Sequence, residues 1–108
     1  MLYLTVAIDP AKTYTGFTLQ GHASDSQVCA GVSAIAQSAV VGILKYDPSA
    51  CYHVDEGVTA VLSKSPNSES RAILETAIRG IIATARCSHN QLRVRYRKQQ
   101  DWPFADKM

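Results

Sequence analysis

Cys29 and His22, with six residues between them, are the residues of this sequence best suited to covalent chemistry. A nucleophilic cysteine needs a stabilised thiolate, a proton acceptor within reach and a position open to substrate. Cys29 falls in the first turn or so of a helix that starts near residues 24–26, where unpaired N–H groups and the helix dipole favour negative charge. His22 follows Gly21, a residue that permits a sharp turn, so a short loop folds the imidazole back toward the helix start. A neutral imidazole beside a thiol can accept its proton near neutral pH. Ser33 lies one helical turn after Cys29 on the same face and can hydrogen-bond the sulfur or orient the histidine. The chemistry open to this set is acyl transfer through a covalent cysteine intermediate. His22 takes the Cys29 proton, the thiolate attacks a carbonyl, main-chain N–H groups at the helix start hold the oxyanion, and water later releases the acyl group. One oxyanion donor contributes about 3 kcal/mol to such a barrier. No metal or cofactor is called for. Taken singly the residues mean less: a free cysteine often packs as a small hydrophobe, and a loop histidine is usually just solvated.

The elements around the pair follow from periodicity. Leu2, Leu4, Val6 and Ile8 alternate with Tyr3, Thr5 and Ala7, the pattern of a strand with one buried face. Asp9-Pro10 turns the chain, and Phe17 and Leu19 continue the alternation in a second, antiparallel strand ending near Gly21. From Asp25 the period becomes helical: Val28, Val32, Ile35, Ala36, Ala39, Val40 and Ile43 share one stripe, closed by Asp47-Pro48. Ser24, Asp25 and Ser26 are the candidate N-caps, and Ser24 with Gln27 resembles a capping box. Strands over 51–54 and 58–62 flank Asp55-Glu56-Gly57, where the glycine supplies a positive φ. Ser65-Pro66 reads as the start of a second helix, with Leu74, Ala77, Ile78, Ile81, Ile82 and Ala85 as its apolar face. Leu92, Val94 and Tyr96 then alternate with Arg93, Arg95 and Arg97 in a last strand. The expected fold is α+β, in the order ββαββαβ, with two helices packed on one face of a mostly antiparallel sheet. Residues 1–97 form a single domain, and 98–108 are an aperiodic tail in which Trp102, Pro103 and Phe104 could dock.

Composition limits the alternatives. The 108 residues suit one domain, and 46% hydrophobic with 19% charged residues is a globular balance. A net charge of +2 is too mild to mark a nucleic-acid binder, so direct nucleic-acid binding is not expected. Three cysteines, Cys29, Cys51 and Cys87, cannot all pair within one chain, which fits a reducing compartment. No signal-peptide pattern opens the sequence, and Ser33, Gln37 and Ser38 interrupt the most apolar run, so no membrane segment is expected and cytoplasm is the default. Cys51-Tyr52-His53 and Cys87-Ser88-His89 are a matched pair of C-x-H units able to bind zinc, but the spacing is not that of a finger or ribbon. Arg93, Arg95, Arg97 and Lys98 offer a basic strand face that could meet ribosomal RNA; a solvated edge strand protected by charge is the favoured reading.

Gly21-His22-Ala23 followed by Val28-Cys29-Ala30-Gly31-Val32-Ser33-Ala34-Ile35 resembles the signature of the ribosomal-processing cysteine protease (Prp) family, a GHA turn joined to a helix opening with a (V/L)CAxVSxL-like run. The resemblance extends over the ββαββαβ order, hence over most of the chain apart from the tail. It implies a catalytic dyad at His22 and Cys29 and a small α/β domain, commonly a homodimer. The implied activity is removal of a short N-terminal extension from a large-subunit ribosomal protein precursor. The chain departs from the pattern of many members, which have a longer, glycine-containing loop with an aspartate just before the helix. Here the loop is only residues 23–28, and Asp25, the nearest acidic residue, stands four positions before the cysteine. Gly21, Asp25 and Ser33 are the expected supporting residues. Two readings of other classes stand beside the peptidase: a non-catalytic ribosome- or protein-binding module of the same fold, and a zinc-stabilised interaction domain.

Overall fold

The computed structural model describes residues 1–86 and 91–99. The elements run β1 (Leu2–Ile8), β2 (Tyr14–Gly21), α1 (Ser26–Tyr46), β3 (Cys51–Asp55), β4 (Val58–Leu62), α2 (Ser68–Arg86) and β5 (Leu92–Lys98). This is the expected ββαββαβ order. One sheet holds all five strands in the order β3-β4-β2-β1-β5, antiparallel throughout except for β5, which lies parallel to β1 at the edge.

Register explains how the core forms. Leu4 pairs with Leu19 and Val6 with Phe17, and Phe17 pairs with Val61, so these side chains share the face that the helices cover. The α1 stripe, Val28, Val32, Ala36, Ala39, Val40 and Ile43, is buried there, as are Leu74, Ala77, Ile78, Ile81 and Ala85 of α2. By length and hydropathy α1 would be able to cross a membrane, yet in the structure this stripe packs on the sheet. The opposite sheet face differs from the expected exposed side of β1. Tyr3 is exposed there, but Thr5 and Ala7 are buried. β1 and β2 are internal strands, and the row Ala60–Thr18–Thr5 is flanked by the longer side chains of His53 and Arg95. Arg93, Arg95 and Arg97 stand exposed on that face of the edge strand, which leaves their charge in water. Tyr96, expected on the apolar side, is mostly exposed and stacks on Tyr14, ring centroids 6.5 Å apart.

Both helix starts are resolved in detail. Asp25 is the α1 cap, its Oδ1 accepting from the N–H of Gln27 at 2.8 Å and of Val28 at 3.4 Å. Ser24 does not complete a capping box, because it is engaged by Gln91 instead. α2 starts two residues later than Ser65-Pro66 suggested. Asn67 caps it, accepting from Ser70 N–H at 2.9 Å while its Nδ2 donates to the Tyr46 carbonyl at 2.9 Å. A cap that also ties α2 to the end of α1 satisfies groups of both helices, which a serine at position 65 could not do from outside the first turn. The tail beyond Gln99, with Trp102, Pro103 and Phe104, lies outside the described residues.

Candidate active site

The site is built where β2 ends, α1 begins and the β3–β4 turn closes over both. Gly21 ends β2 at φ +93, and a Cβ there would lie 2.3 Å from the Met1 carbonyl oxygen, so the turn into His22 needs glycine on both counts. Its N–H donates to the Gly57 carbonyl at 3.1 Å, which ties the end of β2 to the hairpin turn. Gly57 has the positive φ, 74°, expected from its place in that turn. It also makes room for the histidine: a Cβ on Gly57 would meet His22 Nε2 at 3.2 Å. His22 is exposed, and its main-chain carbonyl accepts from the Met1 amino group at 2.7 Å.

One residue further on, the backbone turns toward the thiol. Ala23 N–H donates to Cys29 Sγ at 2.9 Å, and the thiol donates to the Ala23 carbonyl at 3.3 Å. Six residues apart in sequence, the two are thus held in direct contact. Ser24 fastens the same loop to the start of β5: its N–H donates to Gln91 Oε1 at 2.6 Å, and Gln91 Nε2 donates back to the Ser24 hydroxyl. Cys29 itself is half-buried in the first turns of α1.

His22 and Cys29 line one cavity of about 140 Å³ together with Gly21 and Ser33. The expected pair therefore shares a site, and two of the three expected supporting residues, Gly21 and Ser33, border it. Asp25 serves otherwise, with its carboxylate occupied by the helix cap. The sequence reading missed the far wall. Asp55, Glu56 and Gly57 line the same cavity from the β3–β4 turn. Two roomier depressions, one between α1 and α2 near Ile35 and Ile73 and one beside Arg95 and Lys98, hold no cysteine or histidine.

The hydrogen bonds also bear on the expected oxyanion donors. Helix-start N–H groups were the expected ones, yet those of Gln27 and Val28 are taken by Asp25 Oδ1 and that of Cys29 by the Asp25 carbonyl at 3.1 Å. Asp25 thereby engages three N–H groups of the helix start. As for zinc, Cys51 and His53 lie on one face of β3, whereas Cys87 and His89 are outside the described residues. Among the described residues no three or more His, Cys, Asp or Glu side chains cluster as a metal site.

Solved structures share this fold. A structure of the essential ribosomal processing protease Prp from S. aureus, with a covalently linked product peptide, aligns at TM-score 0.77 and 24% identity, covering 90% of this chain and 100% of that one. The same protease with a substrate peptide aligns at TM-score 0.76 and 21% identity over 90% and 100% of the two chains. SMU.848 from Streptococcus mutans aligns at TM-score 0.72 and 18% identity, covering 92% and 96%. At these identities the likeness is one of fold. No curated protein matches the sequence. The family model described as cysteine protease Prp matches residues 1–93, which hold His22, Cys29 and every element up to the first two residues of β5. The chain belongs to the cysteine protease Prp family.

Proposed function

We propose that this protein is an endopeptidase that removes a short N-terminal extension from a large-subunit ribosomal protein precursor, with Cys29 as nucleophile and His22 as general base. The observation that carries the reading is the shared cavity. Its walls hold a half-buried thiol and an exposed imidazole, seven positions apart in sequence on either side of a sharp turn. The thiol gives its proton to His22, the Cys29 sulfur bonds to the scissile carbonyl carbon, and the carbonyl electron pair moves to oxygen. On collapse the C–N bond breaks and His22 returns the proton to the leaving amine. Water then attacks the thioester, its proton passes to His22, and the C–S bond breaks to free the thiolate. In the resting arrangement the sulfur is held by Ala23, so the encounter with the imidazole tightens when substrate binds, as catalytic hydrogen bonds commonly do. Gly21 shapes the turn, Ser33 borders the sulfur's cavity, and Asp25 holds the helix that presents the thiol. The S. aureus relatives, captured with product and substrate peptides, support the substrate class. The protein works in the cytoplasm as a homodimer on this reading, without metal or cofactor.

The test is incubation of the purified protein and its Cys29→Ala variant with a peptide spanning the precursor's extension. Cleavage at one bond by the wild type alone is the expected result. Equal inertness of both proteins, with the peptide still bound, would favour the non-catalytic binding module, for which the exposed Arg93, Arg95 and Arg97 supply a surface.

A further inference from the structure

We propose that the main-chain N–H of Ala23 is a catalytic donor of this enzyme, holding negative charge first on the Cys29 sulfur and then on the oxyanion of the tetrahedral intermediate. The inference rests on the peptidase reading above and names a group that its mechanism still lacks. Around the sulfur, Gln27, Val28 and Cys29 have their N–H groups committed to Asp25. The Ala23 N–H is the main-chain donor that points at the reacting atom, 2.9 Å from Sγ. In the intermediate the oxygen is bonded to the carbon that bears the sulfur, which places it within about 3 Å of the sulfur's position, the range an oxyanion donor must cover. A donor aimed at the sulfur needs only a small change of direction to serve it.

The second contact of the same residue gives the resting state its form. The thiol donates to the Ala23 carbonyl at 3.3 Å, an arrangement available only while sulfur keeps its proton. When His22 removes that proton, the carbonyl contact turns repulsive and the N–H contact becomes charge-assisted and stronger. The sulfur is thereby released from the carbonyl side while its charge stays held from the amide side. Attack forms the C–S bond, the carbonyl pair moves to oxygen, and the N–H follows the charge. Collapse returns the pair to carbon and expels the amine, protonated by His22. The Ala23 amide neither gains nor loses a proton in the cycle.

The N–H can be removed without touching a side chain, because Cys29 is a natural ligation junction. A synthetic 1–28 thioester carrying an ester in place of the His22–Ala23 amide is joined to an expressed 29–108 segment that begins with cysteine. A parallel product carries its ester at the Thr13 amide, which loses a donor of the same kind, to Asp9 at 2.8 Å, in the β1–β2 turn away from the sulfur. Two rates are read in each full-length protein: kcat on the extension peptide, and alkylation of Cys29 by iodoacetamide at neutral pH, followed by mass spectrometry. The ester at Ala23 should lower kcat about 100-fold or more and slow Cys29 alkylation about tenfold. The ester at Thr13 should leave both near the wild-type values. The alkylation rate requires no peptidase activity, so it decides on the amide even if the wild type fails to cut the peptide. Alkylation unchanged or faster in the Ala23 ester, or equal losses in the two esters, would overturn the proposal.

Discussion

The two ends of α1 are constructed on different principles. At its C-terminal end side chains of Ser49, Ser63 and Asn67 meet the polar groups of Asp47 and Tyr46. Asp47 accepts from the Ser49 hydroxyl at 2.6 Å and N–H at 3.2 Å and from the Ser63 hydroxyl, while Asn67 satisfies the Tyr46 carbonyl. These bonds bind α1 to β4 and to the start of α2. At its N-terminal end the side chains that matter for chemistry are left open. His22 is exposed, and the Cys29 thiol meets only the backbone of Ala23 among the hydrogen bonds of the described residues. Positioning there comes from main-chain geometry, from two positive-φ glycines, and from the absence of Cβ atoms beside Met1 and His22. One end spends its polar side chains on holding the fold; the other, beyond the Asp25 cap and the Ser24–Gln91 pair, leaves its thiol and imidazole open.

That contrast sets what each substitution does. Cys29→Ala should abolish peptide cleavage, by about 10⁴-fold or more, and His22→Ala should lower kcat by about 10²- to 10⁴-fold. Both should unfold within a few degrees of the wild type in a thermal melt. A large fall in melting temperature would mean the open end carries stability after all. Gly57→Ala should act on both sides of the comparison. Its φ of 74° strains any L side chain, costing about 1 kcal/mol in a urea titration, and its new Cβ would press on His22 Nε2, lowering kcat about 10- to 100-fold. Loss of stability with kcat intact would remove the hairpin turn from the positioning of the histidine.

At the other end, Asn67→Ala should lower stability by about 1 kcal/mol in the same titration and leave kcat/KM unchanged. The smallest effect concerns acid. Hydrogen bonds from the Ser49 and Ser63 hydroxyls hold the Asp47 carboxyl below its ordinary value of 3.8. A carboxyl depressed on folding stabilises the native state above its ordinary value and loses that contribution as pH falls through the lower folded one. Asp47→Asn should therefore narrow the stability difference between pH 7 and pH 3, measured by thermal melts, while activity at pH 7 stays level. An unaltered pH dependence would show that this end owes nothing to the ionised carboxylate.

Sequence legibility divides along the same line between local and remote pairings. The α1 stripe and the positive φ of Gly57 are written within a few residues of themselves, and the structure has both, whereas the β1 alternation finds its strand but not its open face, since Thr5 and Ala7 are buried. The Gly21–His22 turn and the helical Cys29 are likewise local, which is why their shared cavity was foreseeable. The errors fell where a local pattern has two solutions and a distant residue chooses. Ser24 has the spacing of a capping box, but Gln91, 67 positions away, engages it. Ser65-Pro66 has the look of a helix start, but Asn67 reaches the Tyr46 carbonyl, 21 positions back. Asp55, Glu56 and Gly57 read as an ordinary hairpin turn, and only the register of β4 on β2 brings them over His22. Tyr96 keeps the strand period and is still exposed, because β5 is the outermost strand and its end lies at the margin of the helices.

The bridge from Ser24 to Gln91 has a temporal meaning when the polypeptide is made from its N-terminus. By residue 86 the chain already contains four of the five strands, both helices, the imidazole and the thiol. The glutamine that clasps the loop between them arrives only with the last strand. A nascent chain would thus carry its imidazole and thiol before it carries the clasp on the loop between them.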